Sequence, residues 1–245
     1  MPSQRPKVAI VIPTLNEAGN IPTLFSRLQN ALTDVNLDYE LIVVDDNSQD
    51  GTPNLVQRFA EHDPRIRILV RKGQRGLAGA VIHGWKHTDA ELLGVIDADL
   101  QHPPEVVPSL LEAILQGNDI AIASRYTSRS RESVSEWNVL RRFISRCSTW
   151  ITAPLQRKAL RVTDPMSGFF VVRRECIEGL DLRPAGFKIL LEILVKGRLR
   201  NAAEVPFHFA TRNAGKSKAD LKVAIDYFSL LGNLSRYTIF RPGQR

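Results

Sequence analysis

The feature that most constrains the fold of this chain is a series of five short apolar runs, each rich in valine and isoleucine. They are Val8–Ile12, Leu41–Val44, Ile66–Val70, Leu92–Ile96 and Ile120–Ala123. Their apolar character is nearly continuous rather than alternating, which is typical of strands that helices cover on both faces. The runs therefore predict a buried, mostly parallel β-sheet.

Segments with helical periodicity lie between these runs. They are Ile21–Leu32, Asn54–Ala60, Leu77–His87 and Glu105–Gln116. Thr52 and Pro53 are suited to open the second segment, as N-cap and first-turn residue. The alternation of strands and helices predicts an α/β fold with a Rossmann-like sheet flanked by helices. In such sheets ligands bind beyond the carboxyl ends of the strands, so the residues after each strand are candidates for chemistry.

The second half of the chain has a different organisation. Residues 125–161 carry nine Arg and Lys against two Glu. A further strand is predicted at Gly168–Val172, a helix near Phe187–Gly197 and a final amphipathic helix over Asp220–Leu234. Since the chain has 245 residues and neither repeats nor a linker, it is expected to form one domain.

Composition limits the cellular setting and the class of partner. The net charge of +7 favours an anionic partner such as nucleic acid, a membrane surface or phosphates, and charge alone does not choose among them. Cys147 and Cys176 stand far apart without metal-ligand spacing, so both are expected to be buried in a protein of a reducing compartment. No apolar stretch approaches the ~20 residues that cross a bilayer, and the start lacks a secretory signal, so we expect a cytosolic protein.

The sharpest candidate site follows the fourth run. Asp97, Asp99 and Gln101 stand two residues apart, so on an extended chain their side chains point the same way. Pro103 and Pro104 favour such an extended chain. Hard oxygen ligands of this kind suit Mg²⁺ or Mn²⁺. The alternative is a turn with a helix cap, where Asp is also common.

Polar residues also follow the first two runs. The cluster Asp45–Ser48 can accept hydrogen bonds from ribose hydroxyls or a base edge, or it can form a plain Asx-type turn. After the first run, in Pro13–Glu17, Asn16 and Glu17 can line the same crevice or cap the helix that follows.

A glycine-rich run, Gly73–Gly79, opens the third helical segment. It lacks the spacing of a dinucleotide-binding fingerprint, so it is interpreted as tight helix packing that borders the ligand. His83 and His87 stand at i and i+4 on this segment without a Glu beside His83, so they are expected to be packing or surface residues rather than zinc ligands.

Several basic residues occupy predicted loops. Arg125 directly follows the fifth strand, and Arg212 and Lys218 flank Gly215 in a polar loop that can fold over a bound anion. The alternative for each is a solvated surface charge. The segment 137–151 combines apolar residues at helical spacing with arginines, which suits either a helix packed on the domain or an interfacial helix at an anionic membrane.

Taken together, six segments resemble the family 2 glycosyltransferases of the dolichyl-phosphate (polyprenyl-phosphate) mannosyltransferase type. They are VIPTLNE, VVDDNSQDGT, GLAGAVIHG, DADLQHPPE, SRY and RNAGKSK. The likeness spans roughly residues 8–220. It implies a GT-A fold and an inverting, metal-dependent transfer of one sugar from a donor such as GDP-mannose to a polyprenyl or dolichyl phosphate. It also implies a nucleotide-binding part at residues 1–124, an acceptor-side part at 125–220, and a C-terminal helix and tail at 221–245.

By matching position, the resemblance also implies roles for individual residues. The donor is expected to contact Pro13, Leu15, Glu17, Val44, Asp46, Asp97, Ala98, Asp99, Gln101, Arg125, Arg212 and Lys218. Mg²⁺ or Mn²⁺ is expected at Asp97, Asp99 and Gln101, and the acceptor phosphate at Arg125, Arg141 and Ser145. Asp97, Asp99 and Arg212 are the expected catalytic residues, because they stabilise the departing diphosphate.

The chain departs from the family pattern at Leu15, where a tyrosine is usual. It lacks the QxxRW signature of processive synthases, which favours single-sugar transfer. Many bacterial relatives continue into membrane helices, whereas this chain ends at Arg245, so we expect a peripheral enzyme on the cytosolic membrane face that reaches its lipid directly or through a membrane partner protein.

Competing functions follow from the same features. The donor can be UDP-glucose or another sugar nucleotide, and the acceptor a protein, glycan or small molecule. A non-catalytic nucleotide-sugar sensor and a nucleic-acid-binding module are two further hypotheses. The aromatic residues do not interleave with the basic segment and no nucleic-acid motif is present, so nucleic acid is not an expected partner.

Overall fold

The computed structural model describes residues 7–126, 152, 160–183, 188–208 and 231–235. Its strands are β1 (Lys7–Thr14), β2 (Asp38–Asp45), β3 (Ile66–Val70), β4 (Leu92–Val95), β5 (Ile120–Ser124), β6 (Phe170–Arg173) and β7 (Ala202–Pro206). Its helices are α1 (Ile21–Leu32), α2 (Thr52–His62), α3 (Leu77–Lys86), α4 (Val107–Leu115), α5 (Arg174–Ile177) and α6 (Ile189–Lys196), with a 3₁₀ turn at Pro104–Val106. The predicted α/β class is confirmed.

The strands form one sheet in the order β3-β2-β1-β4-β6-β5-β7. All neighbours are parallel except β6, which runs antiparallel to both β4 and β5. The carboxyl ends of β1, β2, β4 and β5 therefore meet at one edge of the sheet. Because β6 runs the other way, the loop before β6 arrives at this edge too.

Helices cover both faces of the sheet, as the continuous apolar runs predicted. In β1, Val8 and Ile10 pack with α1 and α4, whereas Ala9 packs with α3 and α6 on the opposite face. All three side chains are at most 2% exposed. Burial of successive residues on both faces explains why polar residues of β1 occur only at its two termini, Lys7 and Thr14.

Most predicted boundaries agree with the structure, and α1 coincides with the prediction. Thr52 is not the N-cap of α2, because Gly51 takes that position with a left-handed φ of 88°. Thr52 is the first helical residue, and its backbone N–H donates to the side chain of Asp50. The predicted helix Glu105–Gln116 begins instead with a 3₁₀ turn. Cys176 is buried as predicted, and Cys147 lies outside the described residues.

The fold also contains one helix and one strand that the sequence did not predict. The short helix α5 follows β6, and β7 pairs in parallel with β5. Of the predicted C-terminal helix, residues 231–235 are described and helical. Leu231 and Leu234 are buried against Leu191 and Val195.

Candidate functional site

Asp45, at the end of β2, holds the turn that follows this strand at the carboxyl edge of the sheet. Its carboxylate accepts hydrogen bonds from Thr14 Oγ1 at 2.8 Å, Ser48 N at 2.7 Å and Ser48 Oγ at 2.6 Å. The register places Thr14 beside Asp45 across the β1–β2 pair. Asp45 is fully buried and forms the Asx-type turn that was one interpretation of this cluster.

Asn16 joins the loop after β1 to the loop after β2. Its backbone N–H donates to Ser48 Oγ at 2.7 Å, and its Oδ1 accepts from Gln49 N at 3.0 Å. Asn16 has a φ of 60°, in the left-handed region that Asn tolerates better than most residues. The N-cap position of α1 is taken by Asn20, so neither Asn16 nor Glu17 caps that helix. Glu17 nevertheless accepts a hydrogen bond from Asn20 Nδ2 at 2.7 Å.

Asp46 is held by an arginine that the sequence interpretation missed. Arg71 Nε and Nη2 donate to Asp46 Oδ1 at 2.8 and 2.5 Å, and Gly76 N donates to Asp46 Oδ2 at 2.8 Å. The two side chains are 5% and 7% exposed. The strand register contains a signal for this pair. Asp45 and Val70, the last residues of β2 and β3, lie opposite each other, so the residues that follow them, Asp46 and Arg71, are also neighbours.

The segment after β4 is a turn rather than an extended chain. The strand ends at Val95, residues 98 and 99 turn, and Leu100 has a left-handed φ of 61°. Gln101 N donates to Asp99 Oδ1 at 3.1 Å, which closes the turn. The predicted alternation of three side chains along an extended chain is therefore wrong, because the Asp99 carboxylate accepts a hydrogen bond from the backbone N–H of Gln101 and Leu100 is buried.

Asp97 lies against the loop that precedes β6. An ideal Cβ built on Gly168 would stand 3.0 Å from Asp97 Oδ2, so only a glycine leaves ordinary contact distance there. The Asp97 side chain is 29% exposed, and His102 Nδ1 lies 3.4 Å from Asp97 Oδ2. Asp97, Asp99 and Gln101 are each partly exposed, whereas Ala98 is buried.

Arg125 follows β5, as predicted, and pairs with Asp164 in the loop before β6. Arg125 Nε and Nη2 donate to Asp164 Oδ2 and Oδ1 at 2.7 and 2.8 Å. Asp164 is 1% exposed and Arg125 15%. Glu204 of β7 in turn accepts from Thr163 N at 2.9 Å and Asp164 N at 3.2 Å. The Arg125 side chain is thus held in place by Asp164 and largely shielded from solvent, so it is not a solvated surface charge.

Lys188 and His102 complete the interior of the site. Lys188 Nζ donates to Met166 O at 3.2 Å, and burial, aided by the charge of Arg125, lowers the pKa of Lys188 to about 8. Burial also lowers the pKa of His102 to about 4, again aided by Arg125. The His102 ring packs on Phe169 and Phe207 at centroid distances of 5.4 and 5.6 Å. His102 is therefore neutral at neutral pH.

The remaining histidines behave as packing and surface residues. The rings of His83 and His87 lie 4.3 Å apart and are tilted by 40°, and His87 Nδ1 bonds His83 O at 2.8 Å. Within the described ranges no group of three or more His, Cys, Asp and Glu residues is placed to hold a metal ion.

A comparison with known protein families decides which family this fold and site represent. The family model "Glycosyl transferase family 2" matches residues 9–180. The chain belongs to glycosyl transferase family 2. The matched range covers the polar edge from β1 to β6, including both acidic turns and the Arg125–Asp164 pair.

Relatives of this family 2 chain include three proteins named dolichol-phosphate mannosyltransferase. The protein of Pyrococcus furiosus is 43% identical over 231 residues, which cover 94% of this chain and 64% of the relative. The protein of Mycosarcoma maydis is 35% identical over 96% of this chain and 81% of its own length. The protein of Saccharomyces cerevisiae is 37% identical over 92% of this chain and 86% of its own length. The chain thus spans less than two thirds of the Pyrococcus protein.

Solved structures of similar fold include glucosyl-3-phosphoglycerate synthase from Mycobacterium tuberculosis. Its complex with Mn²⁺, UDP-glucose and phosphoglyceric acid aligns with a TM-score of 0.65 at 20% identity, over 93% of this chain and 80% of that one. Its complex with UDP aligns equally well, with a TM-score of 0.65. The predicted GT-A fold of this family 2 chain is confirmed.

The oxygen donors of this family 2 chain fit a divalent metal. Asp97 and Asp99 supply carboxylates and Gln101 an amide oxygen, all partly exposed on one short turn, and these are the hard ligands that Mg²⁺ and Mn²⁺ prefer. Gly168 leaves room beside the Asp97 carboxylate. Four residues assigned by the resemblance lie outside the described residues: Arg141, Ser145, Arg212 and Lys218.

Proposed function

We propose that this chain transfers a single mannose, with inversion, from GDP-mannose to a dolichyl or polyprenyl phosphate. The observation that carries the proposal is that one edge of the sheet holds the partly exposed carboxylates of Asp97 and Asp99 together with a largely buried cation, Arg125, which feels the charge of Asp97. Carboxylates suit a metal-bound diphosphate, whereas a buried guanidinium suits a phosphate monoester. The names of the three relatives support this choice of substrates.

In this proposal the donor lies along the carboxyl ends of β1, β2 and β4. Pro13 at the end of β1 and Leu15 and Glu17 in the loop after it line the nucleotide side. Val44 of β2 and Asp46, directly after β2, line it from the neighbouring strand. Asp97, Asp99 and Gln101 would hold Mg²⁺ or Mn²⁺, which supplies positive charge to stabilise the departing diphosphate. Ala98 lies in the same turn.

The acceptor phosphate is already ionised at neutral pH, so the reaction needs orientation more than a general base. Arg125 neutralises and aligns this phosphate, and Asp164 fixes the guanidinium by accepting from Nε and Nη2. We assign Arg141 and Ser145 to the same phosphate, and Arg212 and Lys218 to the donor diphosphate. His102 is neutral and packed among aromatic rings, so we do not assign it a role as general acid or base.

A lipid acceptor places the reaction at a membrane surface. None of the helices in the described ranges is long and apolar enough to span a bilayer. We propose that the protein acts peripherally on the cytosolic membrane face, with the basic residues of 125–161 facing anionic head groups.

A radiolabelled-sugar assay tests the proposal. We expect metal-dependent transfer from GDP-mannose to polyprenyl phosphate, lost with EDTA and in D99A. The matched control is D89A, which removes an exposed carboxylate that pairs with Lys7 before β4, away from the site. Undiminished transfer in EDTA would remove the metal from the mechanism. Preference for UDP-glucose, or for a protein or glycan acceptor, in the same assay would replace the proposed substrates.

A further inference from the structure

The buried pair of Arg71 and Asp46 does more than neutralise two charges. Arg71 Nη2 donates both to Asp46 Oδ1 at 2.5 Å and to Gly76 O at 2.9 Å, while Gly76 N donates to Asp46 Oδ2 at 2.8 Å. Arg71 N also continues the sheet ladder by donating to Asp45 O at 2.8 Å. Arg71, Asp46 and Gly76 thus form one closed hydrogen-bonded unit, here called the clamp.

The clamp closes both ends of a loop. Residues 72–75 are all exposed; they leave the sheet after Arg71 and return at Gly76, directly before α3. Gly73 and Gly76 have φ values of 72° and 124°, in the region that favours glycine. The loop is therefore held at its two ends by a single carboxylate, at the edge of the sheet where β2 ends.

The geometry also limits what Asp46 can do for a ligand. An ionised carboxylate offers about four acceptor positions, and the clamp uses three of them, two on Oδ1 and one on Oδ2. At most one position, on Oδ2, is left for a nucleoside. The larger effect of Asp46 on a bound nucleoside must then come through the loop that it holds.

We infer that Arg71 is a positioning residue for the nucleoside end of the donor site, acting through Asp46 and the loop 72–75, which borders a bound nucleoside diphosphate. The inference rests on the proposed function in placing the nucleotide at the end of β2. The donor site then has two separate parts. The clamp determines how tightly the nucleoside binds, and the turn with Asp97 and Asp99 determines how tightly the metal-bound diphosphate binds.

Calorimetric titration of nucleotides tests this separation. The probes are GMP and GDP, and UMP and UDP, each with and without Mn²⁺. R71Q is expected to weaken monophosphate and diphosphate binding by the same factor, about tenfold, with or without metal, because the binding-competent loop conformation that the clamp holds then becomes a minor population. R71K should restore part of the loss. D99A is expected to weaken only diphosphate binding, and only with Mn²⁺.

The matched control is R67Q on the same strand. Arg67 pairs with Glu40 at 2.7 Å and donates to His87 O at 3.0 Å, away from the carboxyl edge, so R67Q should bind both nucleotide classes as the wild type does. Circular dichroism melting verifies that each variant is folded. Wild-type affinity for GMP and UMP in a folded R71Q would overturn the inference.

Hydrogen exchange of the wild type tests the clamp without any variant. Binding of the monophosphate is expected to slow exchange of the amides of residues 72–76, and unchanged exchange there overturns the inference even if R71Q does not fold. Nucleotide binding with the expected Arg71 dependence, but without transfer to polyprenyl phosphate, would defeat the proposed reaction alone.

Discussion

Gly168 sets how closely the loop before β6 approaches the Asp97 carboxylate. A Cβ at this position would stand 3.0 Å from Asp97 Oδ2 and 3.4 Å from Oδ1. Ordinary van der Waals contact begins near 3.4 Å, so the carboxylate would have to move by a few tenths of an ångström. Ligand geometry at a metal site tolerates little displacement.

Gly168→Ala is therefore expected to weaken Mn²⁺ binding by about tenfold while changing the free energy of unfolding by less than about 1 kcal/mol. Calorimetric titration of Mn²⁺ in the presence of GDP measures the first effect, and urea denaturation the second. Gly19→Ala is the control, because a Cβ at Gly19 meets nothing within 4 Å. Equal Mn²⁺ affinity in the two variants would contradict the assigned role of Asp97.

At this scale the sequence predicted the residues that directly follow parallel strands. Asp46, Asp97 and Arg125 were expected at one edge because parallel strands end there, and the structure has all three at that edge. Their partners were missed: Asp164 reaches Arg125 only through the placement of β6 between β4 and β5. Such non-local pairing leaves no periodic signal in the chain. The positive φ of Leu100 could not be predicted from the sequence either, because leucine rarely adopts a positive φ.

Among the elements, α3 packs on the sheet through Gly84. A Cβ on Gly84 would stand 2.7 Å from Val11 Cγ2 and 3.1 Å from Val44 Cγ2. Alanine in a helix interior is favoured over glycine by about 1 kcal/mol, whereas overpacking a rigid core costs typically about 1–3 kcal/mol. The contact with β-branched valines, which have few alternative rotamers, makes the unfavourable term larger.

Gly84→Ala is accordingly expected to lower the free energy of unfolding by about 1–2 kcal/mol, measured by urea denaturation. In a double-mutant cycle, G84A/V11A should lose less stability than the sum of the losses in G84A and V11A if the clash with Val11 is the cause. An increase in stability in the single variant would mean that α3 moves away from β1 at no cost.

Asp63 connects α1 to the start of β3. Its carboxylate accepts from Arg65 Nε and Nη2 at 2.9 and 2.8 Å and from Gln29 Nε2 at 2.8 Å. The Arg65 side chain, followed by backbone and Gln29 donors, lowers the pKa of Asp63 to about 2. Because the folded pKa lies below the ordinary value of 3.8, this stabilisation is complete above about pH 4 and is lost as the pH falls through about 2.

Asp63→Asn is then expected to cost about 1 kcal/mol of stability at pH 7, and the difference from the wild type should shrink between pH 4 and pH 2. Urea denaturation at a series of pH values measures this difference. A difference that stays constant over the whole series would show that Arg65 does not hold the charge of Asp63.

Element prediction succeeded where the signal is local. The first five strands and the helices between them were found because each carries its own apolar pattern and ends in polar residues. The strand β7 was missed because its sequence, AAEVP, is only partly buried and contains Glu and Pro, which are depleted in strands. Its place beside β5 follows from tertiary pairing, to which Glu204 adds by holding Thr163 and Asp164.

For the whole molecule, the charge distribution determines how the protein meets an anionic surface. The chain has a net charge of +7, and residues 125–161 alone have a surplus of seven basic residues over acidic ones. Each basic residue near an anionic membrane contributes ~1 kcal/mol within a Debye length, which falls from about 10 Å at 0.1 M salt to about 3 Å at 1 M. Electrostatic binding must therefore disappear at high salt.

Cosedimentation with vesicles is expected to show binding to mixed phosphatidylcholine–phosphatidylglycerol at 0.1 M salt, loss of that binding at 1 M salt, and none to phosphatidylcholine alone. R157E/K158E should weaken it. The control R58E/K86E makes the same change in net charge at two exposed positions of α2 and α3, so equal weakening by both would assign binding to net charge and contradict a role for the basic segment. Salt-insensitive binding to neutral vesicles would instead require insertion of apolar side chains, for which Trp137, Phe143 and Trp150 of the same segment are the candidates.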